Sequence, residues 1–337
     1  MFTAFCRKQV IGHWRAGKLA AWTLVLLLSG SAVAVEPPKP ASHQRHYRVL
    51  ELPLTPLHLN NSGEVTGVSR GAAAIWSRST GLRLLEVPQD FEKSEAAAVN
   101  QAGDAVGTAT SGTHRSQAFL WRKGQATALP GEGTKALAVN DAGEVVGESR
   151  VAGKKPISPV LWKAGTVVDL GACCGGTATG INNQGQVVGK MYDREGRYQA
   201  FLWEQAHGLQ RLGSGVPGAA VAINKAGHVL VEEFDNGTFL YVPGERMTRL
   251  QLSEQYPSRA LDFNDEDAVV GTFGPFADVE RAFIWDTAHG FQDLNDLIPA
   301  KSGWKLESAV GVNDRGEIVG VGDHNDEDDQ GFLLIPE

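Results

Sequence analysis

From residue 46 onward the apolar positions fall into short, strand-length runs separated by turn residues. No run has the length or the 3.6-residue period of a helix. The runs come in groups of four. In one group, 136–139 is apolar, 140–143 is a turn, and 144–148 is rich in β-branched residues. A polar loop follows, then 160–162, a turn at 163–165 and a last run at 166–170. Length and composition predict four strands per group.

One phrase marks every group: an apolar residue, Asn, then small or polar residues and a turn residue. The Asn stands at Asn60, Asn100, Asn140, Asn182, Asn224, Asn264 and Asn313, with spacings of 40, 40, 42, 42, 40 and 49. A period in the low forties signals stacked copies of one supersecondary unit. Asn bonds its own backbone two residues on, and the Gly that usually follows supplies a positive φ without a steric penalty. The phrase therefore predicts a structural turn, with a ring of ligands as the minority reading. Asp267 replaces that Gly once, and the turn there is expected to adapt. The third run repeats Ala118-Phe119-Leu120-Trp121, Ala200-Phe201-Leu202-Trp203 and Ala282-Phe283-Ile284-Trp285. These aromatics are read as packing between neighbouring units.

The ends complete the pattern. The last unit lacks a fourth strand, and an orphan strand at residues 46–52 precedes the first unit. Joining the two closes a ring and removes exposed sheet edges. The predicted fold is all-β: a seven-bladed β-propeller over residues 46–337, its last blade closed by the N-terminal strand in a 3+1 arrangement. An open β-solenoid is the competing architecture.

The first 34 residues are different. Arg7, Lys8, Arg15 and Lys18 precede an apolar stretch at 19–28, and Ala32-Val33-Ala34 ends it. This is the layout of a secretory signal peptide. An uncleaved anchor is the alternative, but the stretch is short for a bilayer core about 30 Å thick. Residues 35–45 read as a disordered linker. Without residues 1–34 the chain has 27 basic and 39 acidic side chains, a formal charge of −12. That balance argues against nucleic acid and anionic lipid as partners. The expected location is the periplasm or the extracellular space. The expected state is a monomer without an integral membrane span after cleavage, and without a cofactor apart from the calcium weighed below.

The Asn phrase, the Ala-Phe-Leu-Trp strand and the ending at 293–304 and 331–334 resemble the bacterial extracellular repeat proteins of the HAF type. Only Ala-Phe of the His-Ala-Phe signature matches; Gln117, Gln199 and Arg281 stand in the His position. The resemblance spans roughly residues 46–337. It implies an exported propeller-like protein and brings no catalytic residue with it.

Sites on such scaffolds gather on loops carried by the rigid frame. The loops between strands 2 and 3, and between strand 4 and the next strand 1, vary most here. They supply the candidate ligand-binding residues Arg115, Lys155, Tyr192, Arg194, Arg197, Tyr198 and Glu280. Cys173 and Cys174 join them. Adjacent Cα atoms lie about 3.8 Å apart, below the usual disulfide range of roughly 4.4–6.8 Å. A vicinal disulfide would be strained, and two thiols or another oxidised state is the alternative. The acidic loop at 323–329 offers Asp323, Asn325, Asp326 and Asp328 as weak calcium ligands, although the EF-hand spacing is not met. His207-Gly208 and His289-Gly290 occupy equivalent positions and read as turns. The expected function is an exported binding module of the cell envelope with a protein or glycan partner. An envelope hydrolase or lyase with its site at the mouth of the central channel is the alternative.

Overall fold

The computed structural model describes residues 45–112, 115–151, 156–275 and 280–337. The signal segment and all but the last residue of the linker lie outside the described residues. Seven four-stranded antiparallel sheets follow one another along the chain, spanning 55–84, 93–128, 132–169, 176–211, 218–249, 258–293 and, for the seventh, 304–336. They are the blades of a propeller. The fourth strand of blade 7 is Tyr47–Leu52, which pairs antiparallel with Glu327–Pro336 from Tyr47↔Pro336 to Leu52↔Gly331. The 3+1 closure predicted from the ends is thus the observed one.

The repeat phrase has a geometric cause. In all seven blades the pairing of strands 1 and 2 slips by one residue just before the Asn, as between Ala96 and Ala98 or Ala309 and Gly311. Such a bulge leaves one residue unpaired and bends the strand. It presses the first strand onto the second. A Cβ placed on Gly147 would lie 1.9 Å from the Lys135 carbonyl oxygen, and Gly67, Gly107, Gly189, Gly271 and Gly320 show the same approach. The Gly that ends the Val-rich run is therefore a space requirement, not a turn. Blade 5 carries Val231 there.

The core lies between blades. Phe119 and Trp121 of blade 2 pack with Ala73 and Ile75 of blade 1, and Phe201 of blade 4 packs with Val146 and Leu161 of blade 3. Trp121 Nε1 donates to the Glu86 carbonyl (2.7 Å) and Trp162 Nε1 to that of Pro130 (2.8 Å). Buried indole N–H groups need such partners. The aromatics are inter-blade packing, as read from the sequence.

The Asn turns form a closed circle. Each Asn side-chain amide donates to the backbone carbonyl of the Asn in the next blade: Asn60 to Asn100 (2.8 Å), Asn100 to Asn140 (3.1 Å), Asn140 to Asn182 (3.1 Å) and Asn182 to Asn224 (3.2 Å). Asn224 reaches Asn264 (3.4 Å), Asn264 reaches Asn313 (3.2 Å), and Asn313 returns to Asn60 (3.2 Å). Each Oδ1 accepts amides of its own turn, as from Ala102 (3.0 Å) and Asp104 (2.9 Å) at Asn100. One residue type thus folds the turn and ties it to its neighbour. The turn residue is left-handed throughout, with φ between 59° and 83°. Asp267 keeps that conformation at φ 59°, so the expected adaptation does not occur. Its carboxylate instead reaches back to blade 5, accepting from Asn224 Nδ2 (3.0 Å) and meeting His228 Nδ1 (2.9 Å).

The longest repeat holds an extra element, and one sequence reading changes. The long spacing before Asn313 holds a 3-10 turn at Leu294–Asp296, capped by Asp293, whose side chain accepts from the Asn295 amide. The acidic segment 323–329 is not an open loop. Strand Ile318–His324 runs into strand Glu327–Pro336 through a two-residue turn at Asn325 and Asp326, with φ 50° and 68°. Positive φ at both central residues is the hairpin turn whose twist matches the strands, and Asn and Asp tolerate it.

Candidate functional site

The variable loops gather on one face and the Asn turns on the other, with the strand 3–4 turns beside them. His207 and His289 belong to those latter turns. Their Nδ1 atoms meet Glu204 (2.8 Å) and Asp286 (3.0 Å), and Gly208 and Gly290 are left-handed.

On the loop face the candidate residues are spread over several blades. Arg115 of blade 2 pairs with Asp90 (2.7 Å) and lies 5.1 Å above the Phe91 ring. Lys155 lies outside the described residues. Glu280 is half-buried in blade 6. Only blade 4 collects several of them. There Tyr192 and Tyr198 are cross-strand partners, their rings 4.6 Å apart and their hydroxyls 2.7 Å apart. That hydrogen bond pushes the Tyr192 phenol up to about 12. Arg197 is part of the turn itself. Asp193 Oδ1 accepts its amide (2.9 Å) and Oδ2 its Nε (3.0 Å), so Asp193 does here what Asn does elsewhere. Arg194 shares the turn, and its charge acts on Cys174. Cys173 and Cys174 are free, with sulfurs 2.8 Å apart.

Sequence reasoning missed the neighbours that turn the two tyrosines into a surface. Lys190 Nζ sits 4.9 Å from the Tyr198 centroid, and Phe234 of blade 5 meets Tyr198 edge-on at 6.0 Å. Phe234 is 46% exposed and Ile157 37%. The Gly175 backbone, beside Tyr192, lies against the Ile157 carbonyl. Blades 3 to 5 thus present aromatic and aliphatic surface next to a cation. The missed signal was an aromatic at a strand 2–3 turn.

In the acidic hairpin of blade 7, Asp326 and Asp328 are exposed, and the residues before them are paired. Asp323 meets Lys305 Nζ (3.2 Å) and Asn325 Nδ2 meets His324 Nε2 (3.0 Å). His324 stacks on Trp304 at 4.4 Å. Among the described residues, no three His, Cys, Asp or Glu side chains converge as a metal site.

At the Asn-turn face the channel opens into a cavity of about 400 Å³ lined by all seven blades. The residues after the Asn form its rim and cap one another. Asp141 Oδ1 accepts the Gln101 amide (2.9 Å), Asp265 Oδ1 that of Lys225 (2.8 Å), and Asp314 Oδ1 that of Asp265 (2.9 Å). Lys225 Nζ pairs with Asp265 (3.0 Å). Titratable groups therefore do meet in the mouth, and these three carboxylates cap backbone amides there. Deeper in the wall stand His58 and Asp262, both half-buried. Burial holds the His58 imidazole down at about 4 and pushes the Asp262 carboxyl up to about 7. Both occupy the position two before the Asn, where the other five repeats carry Ala98, Ala138, Gly180, Ala222 and Gly311. Aligning the repeats would have exposed them.

Gly67-Val68-Ser69-Arg70-Gly71 spells the Gly-x-Ser-x-Gly string of serine hydrolases. Ser69 ends a strand rather than a strand-to-helix elbow, and its Oγ donates to the Pro53 carbonyl (3.0 Å).

No protein-family model matches this sequence, and no curated protein matches it. Solved structures do. A streptogramin B lyase superposes with a TM-score of 0.57 at 12% identity, covering 86% of this chain and 98% of that one. The propeller domain of the trilobed protease of Pyrococcus furiosus, described as having an open velcro topology, gives 0.57 at 11%, covering 87% and 97%. YCF48 bound to a D1 peptide gives 0.55 at 11%, covering 86% and 97%. At such identities the likeness establishes the fold. The chain is a seven-bladed β-propeller.

Proposed function

We propose that this chain is an exported binding module of the cell envelope that holds a protein partner on its loop face, across blades 3 to 5. The observation that carries this reading is the surface formed by the half-buried pair Tyr192 and Tyr198 and the exposed Phe234, with Lys190 beside it. Rigid aromatic surface beside a cation is the composition of protein-binding hot spots. The strands beneath hold these side chains in place before binding, which lowers the ordering cost. Export is supported by the basic start, short apolar stretch and Ala-x-Ala ending of residues 1–34. Among the described residues no helix is long and apolar enough to cross a membrane. A propeller of the same fold has been solved with a peptide bound.

The test is capture of envelope proteins on immobilised residues 46–337, followed by affinity measurement for the recovered partner. Tyr198→Ala with Phe234→Ala should weaken binding at least about tenfold, since hot-spot truncations cost roughly 2 kcal/mol or more. Unchanged affinity would place the partner elsewhere. Saturable binding to an envelope glycan, lost in the same variant, would replace the protein by a sugar.

A further inference from the structure

The seven repeats line the channel with near-equivalent residues, so a departure confined to two of them marks one side of the channel as different. Two positions before the Asn, five repeats place Ala or Gly; blade 1 places His58 and blade 6 places Asp262. These blades flank blade 7, where Gly311 removes the side chain between them. A Cβ there would lie 3.5 Å from the Leu59 amide nitrogen and 3.8 Å from Asp262 Oδ2. With Val319 Cγ2 only 3.1 Å from that position, the glycine lets the strands of blades 1, 6 and 7 close in, while Asp262 itself lines the cavity. The repeat turn requires neither ionisable group, because the five small residues build the same bulge.

The polar partners inside the protein are few. Asp262 Oδ2 accepts the Val312 amide (3.0 Å). His58 Nδ1 accepts only a long bond from the Val99 amide (3.4 Å). Above them the residues before each Asn, among them Leu59, Ile181, Phe263 and Val312, form an apolar collar. The rim carries Asp141, Asp265 and Asp314 against one cation, Lys225. The cavity thus offers a carboxyl in its wall, apolar sides and an acidic entrance. Its volume, about 400 Å³, suits a small molecule.

We propose that the Asn-turn mouth of the central channel binds a small organic cation, an ammonium with an apolar body whose charged head meets the Asp262 carboxylate. The body contacts the collar, and the acidic rim favours entry of positive charge. His58 is neutral at pH 7, because burial holds its imidazole near 4, and it does not repel the head. Binding couples to ionisation of Asp262. The ionisable groups sharing its cavity are His58, Asp141, Lys225, Asp265 and Asp314. Arg259, on its own strand, and Glu232, which accepts the Ala260 amide (3.0 Å), stand nearer the other mouth. A carboxyl pushed up to about 7 is half protonated there. Only its charged form pairs with an ammonium, so affinity rises with pH.

Calorimetric titration of residues 46–337 with 2-phenylethylammonium, and with 3-phenylpropanoate as the anion of like shape, tests this. The expected result is one saturable site for the amine and none for the acid. The amine should bind about tenfold more tightly at pH 8 than at pH 6. Asp262→Asn should weaken it at least about tenfold at pH 8 and flatten the pH dependence. Absence of amine binding, equal binding of the acid, pH-independent affinity in the unmodified chain, or unchanged affinity in Asp262→Asn would each overturn the proposal. The unmodified chain supplies three of these readouts, so the proposal stays testable if the variant misfolds.

Discussion

Replacing Asn100 separates the two jobs of the repeat Asn. Its side chain is 3% exposed. Oδ1 accepts the amides of Ala102 (3.0 Å) and Asp104 (2.9 Å), and Nδ2 donates to the Asn140 carbonyl (3.1 Å). The first two bonds fold the turn, and the third ties blade 2 to blade 3. Asn100→Ala removes all three and leaves one buried amide, that of Asp104, without a partner, whereas Ala102 is exposed to water. At about 1 kcal/mol per lost bond, and about 1–3 kcal/mol for a buried group left unpaired, the expected loss is roughly 3–5 kcal/mol. Asn100→Asp keeps the oxygen that folds the turn and exchanges the donor for a second oxygen aimed at a carbonyl. Its loss at pH 7 should be smaller, about 1–3 kcal/mol, and should shrink as pH falls and the carboxyl protonates into a donor. Urea unfolding of residues 46–337 at pH 7 and pH 4, followed by tryptophan fluorescence, reads both. If Asn100→Asp equals the unmodified chain at pH 7, the inter-blade bond contributes nothing. If Asn100→Ala loses less than about 1 kcal/mol, the turn does not depend on the side chain either.

Deleting residues 46–52 removes the outer strand of blade 7, with Tyr47 and Leu52 only 3% and 4% exposed. Two large apolar side chains at about 1.5–3 kcal/mol each predict a loss of at least about 3 kcal/mol. An unchanged melting temperature would refute the closure argument. Gly147→Ala should cost about 3 kcal/mol or more, because the new Cβ meets the Lys135 carbonyl oxygen at 1.9 Å. Gly165→Ala, at φ 76° with open space around it, should cost only about 1–2 kcal/mol of backbone strain. Equal losses for the two glycines in thermal melts would contradict the close-approach account.

Much of this protein could be read from the order of its residues. A turn made by Asn and Gly, a strand of alternating apolar residues and an aromatic at a fixed offset depend on neighbours only a few positions away. Repeated at nearly constant spacing, they specify seven equal units, and the unmatched ends specify how the ring closes. The acidic segment reads as an open loop in the sequence because hairpin turns and open loops use the same Asp and Asn residues. What separates them is whether the flanking strands pair, as His324 does with Glu327. The circle of amides, the bulge that demands Gly147, and the meeting of Tyr198 with Phe234 and of Gly311 with Asp262 join residues about 12 to 253 positions apart. Such pairings follow from the angle between blades and the width of the channel they enclose. Local chemistry therefore determined the unit and the number of its copies; only packing around the common axis decided which of its side chains face one another.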